Sequence, residues 1–178
     1  SIPHRKIKDK NDFRVRMASI QKEIYEKQKE NGTAASKEQI ISYVNEFFQQ
    51  LGILLPINFN NVVQLKKTES RRINYYQIQK DTKIKNKNDI IWIKLNEDGC
   101  ISVIGTGCDI YFTDKVKKDT SSGRINSLIG EKWNENEVLI FPLVKIPEGL
   151  NRSDVESGVG NYLISKGVPI LDYYSHNY

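Results

Sequence analysis

Little in this chain resembles the equipment of a zinc- or thiol-based enzyme. Its 178 residues hold two histidines, His4 and His176, at opposite ends, and two cysteines, Cys100 and Cys108, eight positions apart. A zinc site takes three or four clustered nitrogen or sulfur ligands, and this set does not supply them. Neither cysteine has the local signature of a thiol protease nucleophile with a partner histidine. So few thiols fit a reducing compartment, and a cytoplasmic location is expected. No apolar run reaches the roughly 18–20 residues of a membrane helix, and Ser1-Ile-Pro-His-Arg-Lys-Ile-Lys8 lacks the apolar stretch of a signal peptide. The glycine pair Gly105-Thr-Gly107 has neither a third glycine nor a following Lys-Ser/Thr, so no phosphate-cradling loop is present. There is no nucleophile elbow, internal repeat or low-complexity linker.

What is present is a composition of 38% hydrophobic and 28% charged residues in 20.6 kDa. That suffices for one well-cored domain. The net charge is +5 and the pI about 9.1, which suits a partner bearing phosphates, since basic side chains release counterions on meeting a polyanion. A chain rich in Lys, Asn and Ile also carries lysines as plain solvated surface.

Residues 1–11 are basic and unpatterned. Asp12 can cap a first helix, in which Phe13, Met17, Ile20 and Ile24 recur at helical spacing and predict its packed face. Lys22, Glu26, Lys27 and Lys29 fall on the other side, and Asn31-Gly32 ends the helix. A second helix opens at Ser36 and Gln39, which have capping-box spacing. Its stripe is Ile40, Ile41, Val44, Phe47, Phe48 and Leu51, and Gly52 stops it. The two read as an N-terminal helical hairpin. Residues 62–65 and 72–79 have strand-like content. Around them lie two basic clusters, Lys66, Lys67, Arg71 and Arg72, then Lys80, Lys83, Lys85 and Lys87. Lysine and arginine interleaved with Tyr75 and Tyr76 suit a surface that tracks a nucleic-acid backbone; a charged loop on a half-buried strand reads equally well.

The firmest strand signal is the hairpin Asp89-Ile-Ile-Trp-Ile-Lys-Leu95, Asn96-Glu-Asp-Gly99, Cys100-Ile-Ser-Val-Ile-Gly105, where Asp-Gly separates two apolar runs. A short strand at 109–112, an exposed loop at 113–123, a short helix from Arg124 to Ile129 and a buried strand at Val138–Phe141, ended by Pro142 or Pro147, follow. Ser153 or Asp154 starts a helix running to about Lys166, with Gly167 as its stop. Val168 to Leu171 is a last apolar segment. The predicted class is α+β: a small central antiparallel or mixed sheet flanked by helices behind the helical hairpin. Residues 1–88 read as the hairpin with a basic extension and 89–178 as the core, the two forming one compact unit.

The order of the second half, hairpin, helix with an arginine, strand, helix with a glutamate and a terminal asparagine, resembles the GIY-YIG nuclease superfamily. The matching triplets are Ile90-Ile91-Trp92 and Val103-Ile104-Gly105, with Arg124, Glu156 and Asn177 after them. Trp92 and Val103 stand where that family has tyrosines, so Tyr111 or Lys94 would have to replace the water-activating group. A rival register begins with Asp109-Ile-Tyr111 and has Leu128-Ile-Gly130 as its second triplet. The resemblance implies a Mg²⁺-dependent endonuclease of restriction or mobile-element type acting on double-stranded DNA. Glu156 would then hold the Mg²⁺, Arg124 would clamp the scissile phosphate, and Asn177 would orient a water. Lys66, Lys67, Arg71, Arg72, Lys83, Lys85 and Lys87 would grip the duplex. An Asp81-Thr-Lys83 element with Glu69 offers a second, sparser nuclease pattern. The competing expectation is a non-catalytic DNA-binding or protein-interaction module, phage- or plasmid-encoded. Oligomeric state is left open by the sequence, a dimer included.

Overall fold

The Asn96–Gly99 turn does close a hairpin, whose first strand is internal to the sheet and whose second is its edge. The structure, a computed structural model, describes residues 6–53, 63–64, 72–74, 89–107, 109–111, 120–134, 137–143 and 145–176. In chain order the elements are helices α1 (Phe13–Glu30) and α2 (Lys37–Leu51), strands β1 (Val63–Gln64), β2 (Arg72–Asn74), β3 (Asp89–Leu95), β4 (Ile101–Gly107) and β5 (Asp109–Tyr111). Helix α3 (Ser121–Leu128), strand β6 (Glu137–Leu143), helix α4 (Arg152–Ser165) and a 3-10 turn at Tyr173–His176 complete them. The class is α+β, with an N-terminal helix pair and an antiparallel sheet in the order β1-β6-β3-β4. Strands β2 and β5 form a separate two-stranded ladder.

β3 sits between its two partners, with Ile93 opposite Ile104 on β4 and opposite Leu139 on β6. Its side chains alternate faces. Ile91, Ile93 and Leu95 enter the main core with Leu139, Phe141 and Leu143 of β6, and α2 and α4 cover that face through Ile40, Ile41, Val44, Phe48, Val155, Val159 and Leu163. A second cluster joins Val15, Ala18 and Tyr25 of α1 to Ile125 of α3, Cys100 and Leu171. The segment at 170–172 lies parallel along the β4 edge, with the Leu171 and Asp172 amides donating to Ile101 and Ser102 carbonyls at 3.0 and 2.8 Å. There Ile101 and Ile170 point to the main core while their neighbours Cys100 and Leu171 point to the second cluster. The N-terminal helices therefore divide at this edge, α2 to one side and α1 to the other. Their connection follows the same split, Ala34 lying against the second cluster and Ala35 against the main one.

The face that α1 buries is not the one its periodicity predicts. Phe13, Ile20 and Ile24 are 44%, 48% and 41% exposed, while Arg14, Val15, Ala18 and Tyr25 are buried. The reason is polar. Arg14 makes a bidentate buried pair with Asp172, Nη2 to Oδ1 and Oδ2 at 2.9 and 2.8 Å, and Ser122 of α3 also donates to that carboxylate. Lys22 lies between Asp98 and Glu131, and the Tyr25 hydroxyl donates to the Asp98 carbonyl at 2.8 Å. Val15 and Ala18 are buried between these anchors in the second cluster.

Other boundaries shift for local reasons. α3 starts at Ser121, because the Thr120 hydroxyl accepts from the Gly123 amide, so the predicted loop is shorter. α4 is capped by a reciprocal Asn151–Asp154 box in place of Ser153 or Asp154 as the starting residue. β6 continues through Pro142, which stands opposite Ile90. β1 pairs only with residues 137 and 138 of β6, so among the described residues Pro142 has a ladder on one side alone, where proline is tolerated. Gly158 and Gly160 lie inside α4. A Cβ on Gly158 would come 2.5 Å from Cζ of Phe47, so this glycine admits an α2 ring.

Candidate functional site

The two triplets lie on neighbouring strands but overlap at one pair only, Trp92 opposite Gly105; Ile90 and Ile91 face Gly107 and Thr106, and Val103 and Ile104 face Lys94 and Ile93. They carry one face of the hairpin, where Trp92 and Lys94 stand in a row on β3. A Cβ on Gly105 would come 2.0 Å from Cζ2 of Trp92. The indole thus rests on the glycine backbone, a place no side chain could share. Lys94 is 8% exposed. Its Nζ lies 4.9 Å from the Trp92 ring centre and 4.8 Å from that of Trp133. An ammonium between two indoles is held by both ring quadrupoles, each contact being worth about 2 kcal/mol when desolvated.

Trp133 reaches this position through the segment after α3. That segment hydrogen-bonds to the hairpin end, the Glu97 amide donating to the Lys132 carbonyl and the Asn134 amide to the Leu95 carbonyl, both at 2.9 Å. An isolated bridge joins Asn96 to Trp133. Asn96 is fully buried there, and both its side-chain amide atoms lack a hydrogen-bond partner among the described residues. The sequence singled out Lys94 for its place in the hairpin. Trp133 was missed, and its only signal was rarity, as one of two tryptophans in the chain.

The remaining expected site residues are dispersed. Arg124 is exposed on α3, where its Nη2 donates to the Lys8 carbonyl at 3.2 Å. Glu156 is 9% exposed on α4, a helix against β3, β4 and α2. α3 belongs to the second cluster and α4 to the main core, and no ion pair joins Arg124 to Glu156. Tyr111 is on β5 and pairs across the ladder with Arg72 on β2, which brings one expected catalytic position beside one expected DNA contact. Asn177, Lys66, Lys67, Arg71, Lys83, Lys85 and Lys87 lie outside the described residues. So do Asp81 and Glu69 of the sparser pattern. The rival register needs a strand at Leu128-Ile129-Gly130, where α3 ends and turns.

Among the described residues, no group of three or more His, Cys, Asp or Glu is placed to hold a metal. Glu156 would be a lone carboxylate ligand. Three titratable groups with perturbed values, Lys22, Tyr25 and Cys100, surround the β3–β4 turn instead. Burial would lower the Lys22 pKa, but its hydrogen bonds to Asp98 and Glu131 outweigh that and raise it above the ordinary lysine range. Burial pushes the Tyr25 phenol up to about 12, with the Asp98 charge adding to it. Burial also raises the Cys100 thiol well above its usual value, which leaves it protonated and unreactive near neutral pH. These groups secure α1 to the hairpin and form no open acid–base pair.

Compared with protein families, curated proteins and solved structures, the chain matches none. No helix of the described residues is long and apolar enough to cross a membrane.

Proposed function

We propose that this chain is a non-catalytic module that binds double-stranded DNA. One observation carries the reading. Lys94, which with Tyr111 is one of two side chains that could replace the motif tyrosines, is enclosed between Trp92 and Trp133 and 8% exposed. A base must reach the proton it takes, within about 2.6–3.2 Å or through one water, and an amine packed between two indole rings is poorly placed for that role. The net charge of +5 supports a polyanionic partner.

A second reading, the Mg²⁺-dependent endonuclease, keeps support from the register that sets Trp92 against Gly105 and from the helix bearing Glu156 lying on the same two strands. Supercoiled plasmid with Mg²⁺ or EDTA, together with a mobility-shift series in rising salt, separates the two. The binding module retards DNA, loses affinity steeply between 50 and 200 mM salt in the manner of counterion release, and leaves the plasmid intact. Mg²⁺-dependent nicking that Glu156→Ala and Arg124→Ala both abolish would establish the nuclease. Absence of both retardation and nicking overturns both readings in favour of a protein partner.

A further inference from the structure

The stripe that α1 turns away from its own core has a composition of its own. Phe13, Met17, Ile20 and Ile24 are spaced four, three and four residues apart. At 100° per residue they span about 60° of the helix circumference. This is the narrow seam of a two-helix coiled coil, whose repeat alternates steps of three and four. Ile20 and Ile24 are 48% and 41% exposed, Met17 is half-buried, and Phe13, 44% exposed, keeps one edge against Tyr174 of its own chain at 5.4 Å. The helix cannot roll to hide them, because Arg14, Lys22 and Tyr25 tie its opposite face to Asp172, Asp98 and Glu131.

The charges beside the seam say what covers it. Arg16 and Glu23 occupy equivalent flanking positions seven residues apart, both are exposed, and neither makes an ion pair among the described residues. In an antiparallel pairing of two such helices, Phe13 meets Ile24 and Met17 meets Ile20 of the other copy. Equivalent flanking positions then face each other, so Arg16 meets Glu23 twice, once on each side of the two-fold axis. A parallel pairing would set Arg16 against Gln21 and Glu23 against Gln28, with no charge matched, and Gln28 already donates to the Gly167 carbonyl at 2.7 Å. Self-complementarity under a two-fold axis is what an isologous interface requires.

We infer that α1 is a self-association surface, on which the Phe13–Ile24 seam of a second copy of this chain docks antiparallel. Lys10 and Lys27 hold the next seam positions and face each other across the antiparallel pair, which limits the apolar contact to about 16 Å of helix and sets a repulsion at each end against the two Arg16–Glu23 contacts. That is shorter than a standard interface of roughly 1,200–2,000 Å² would need, so the dimer is concentration-dependent.

Sedimentation equilibrium without DNA tests this independently of the function proposed above. The weight-average mass of the wild type should climb from 20.6 kDa towards twice that value as concentration rises from about 10 μM to about 1 mM, the range of a weak complex. Ile20→Glu/Ile24→Glu should stay monomeric with an unchanged melting curve. Arg16→Glu and Glu23→Arg should each weaken association several-fold, and Arg16→Glu/Glu23→Arg together should recover it. A wild-type mass that stays at the monomer value throughout overturns the inference, as does a dimer that survives the glutamate pair. Failure of the doubly reversed variant to recover rules out the antiparallel arrangement proposed.

Discussion

The two N-terminal helices carry similar patterns and do opposite things with them. α2 buries the stripe its spacing announces: Ile40, Ile41, Val44 and Phe48 are all within the main core. α1 presents its stripe outward and packs through a face that includes an arginine, a lysine and a tyrosine. Periodicity identifies an amphipathic helix in both cases. It cannot say whether the apolar side meets the protein's own sheet, because a set of well-placed ionic partners can hold the other side more firmly. The contrast also separates two sources of stability, dispersion and apolar burial for α2 and satisfied buried charge for α1.

Substitutions should expose that division. Phe48 is fully buried and meets Phe141 edge-on at 6.1 Å, so Phe48→Ala should cost about 3–5 kcal/mol of folding free energy in urea titration. A loss under about 1 kcal/mol would mean that α2 is not anchored by its stripe. Arg14→Met strands the Asp172 carboxylate and should cost about 3 kcal/mol, whereas Arg14→Met/Asp172→Leu should recover most of the loss. A double variant no more stable than the single one would argue against the pair as the reason for α1's orientation.

Tyr25 gives the comparison a pH dependence. Its folded pKa of about 12 lies above the ordinary 10.0, so the native state retains a proton that the unfolded chain releases. The associated stability is complete below about pH 10 and is lost as pH rises towards 12. The urea midpoint should therefore fall between pH 9 and 11.5, and fall less in Tyr25→Phe; equal slopes in the two proteins would exclude this linkage. The smallest effect belongs to the exposed stripe. Ile20→Ala should change the stability of the dilute monomer by no more than about 0.5 kcal/mol, and a core-sized loss would show that the stripe is covered after all.

Much of the fold was legible. The Asp-Gly turn marked the hairpin, Gly52 and Gly167 marked helix ends, and the alternation of β3 separated Ile91 and Ile93 from Trp92 and Lys94. These are local signals, set by backbone conformation and by periods of 2 and 3.6. The α3 start at Ser121 was missed because a threonine cap in a polar stretch looks like loop. The continuation of β6 through Pro142 was missed because a proline's cost depends on whether a neighbour needs its amide. At the candidate site the hairpin was legible; its register was not, because a bulge between Lys94 and Leu95 shifts the pairing, and neither was the enclosure of Lys94, since Trp133 arrives from a distant segment.

By itself, then, the sequence determined where the helices and strands form, which class of fold they build, and that the chain is basic. The orientation of α1, the cage around Lys94 and the separation of Arg124 from Glu156 were decided only in three dimensions. Each depends on which distant groups share a surface, Asp172 with Arg14 or Trp133 with Lys94. The energy of such a contact depends on burial and mutual geometry, neither of which is encoded in spacing along the chain.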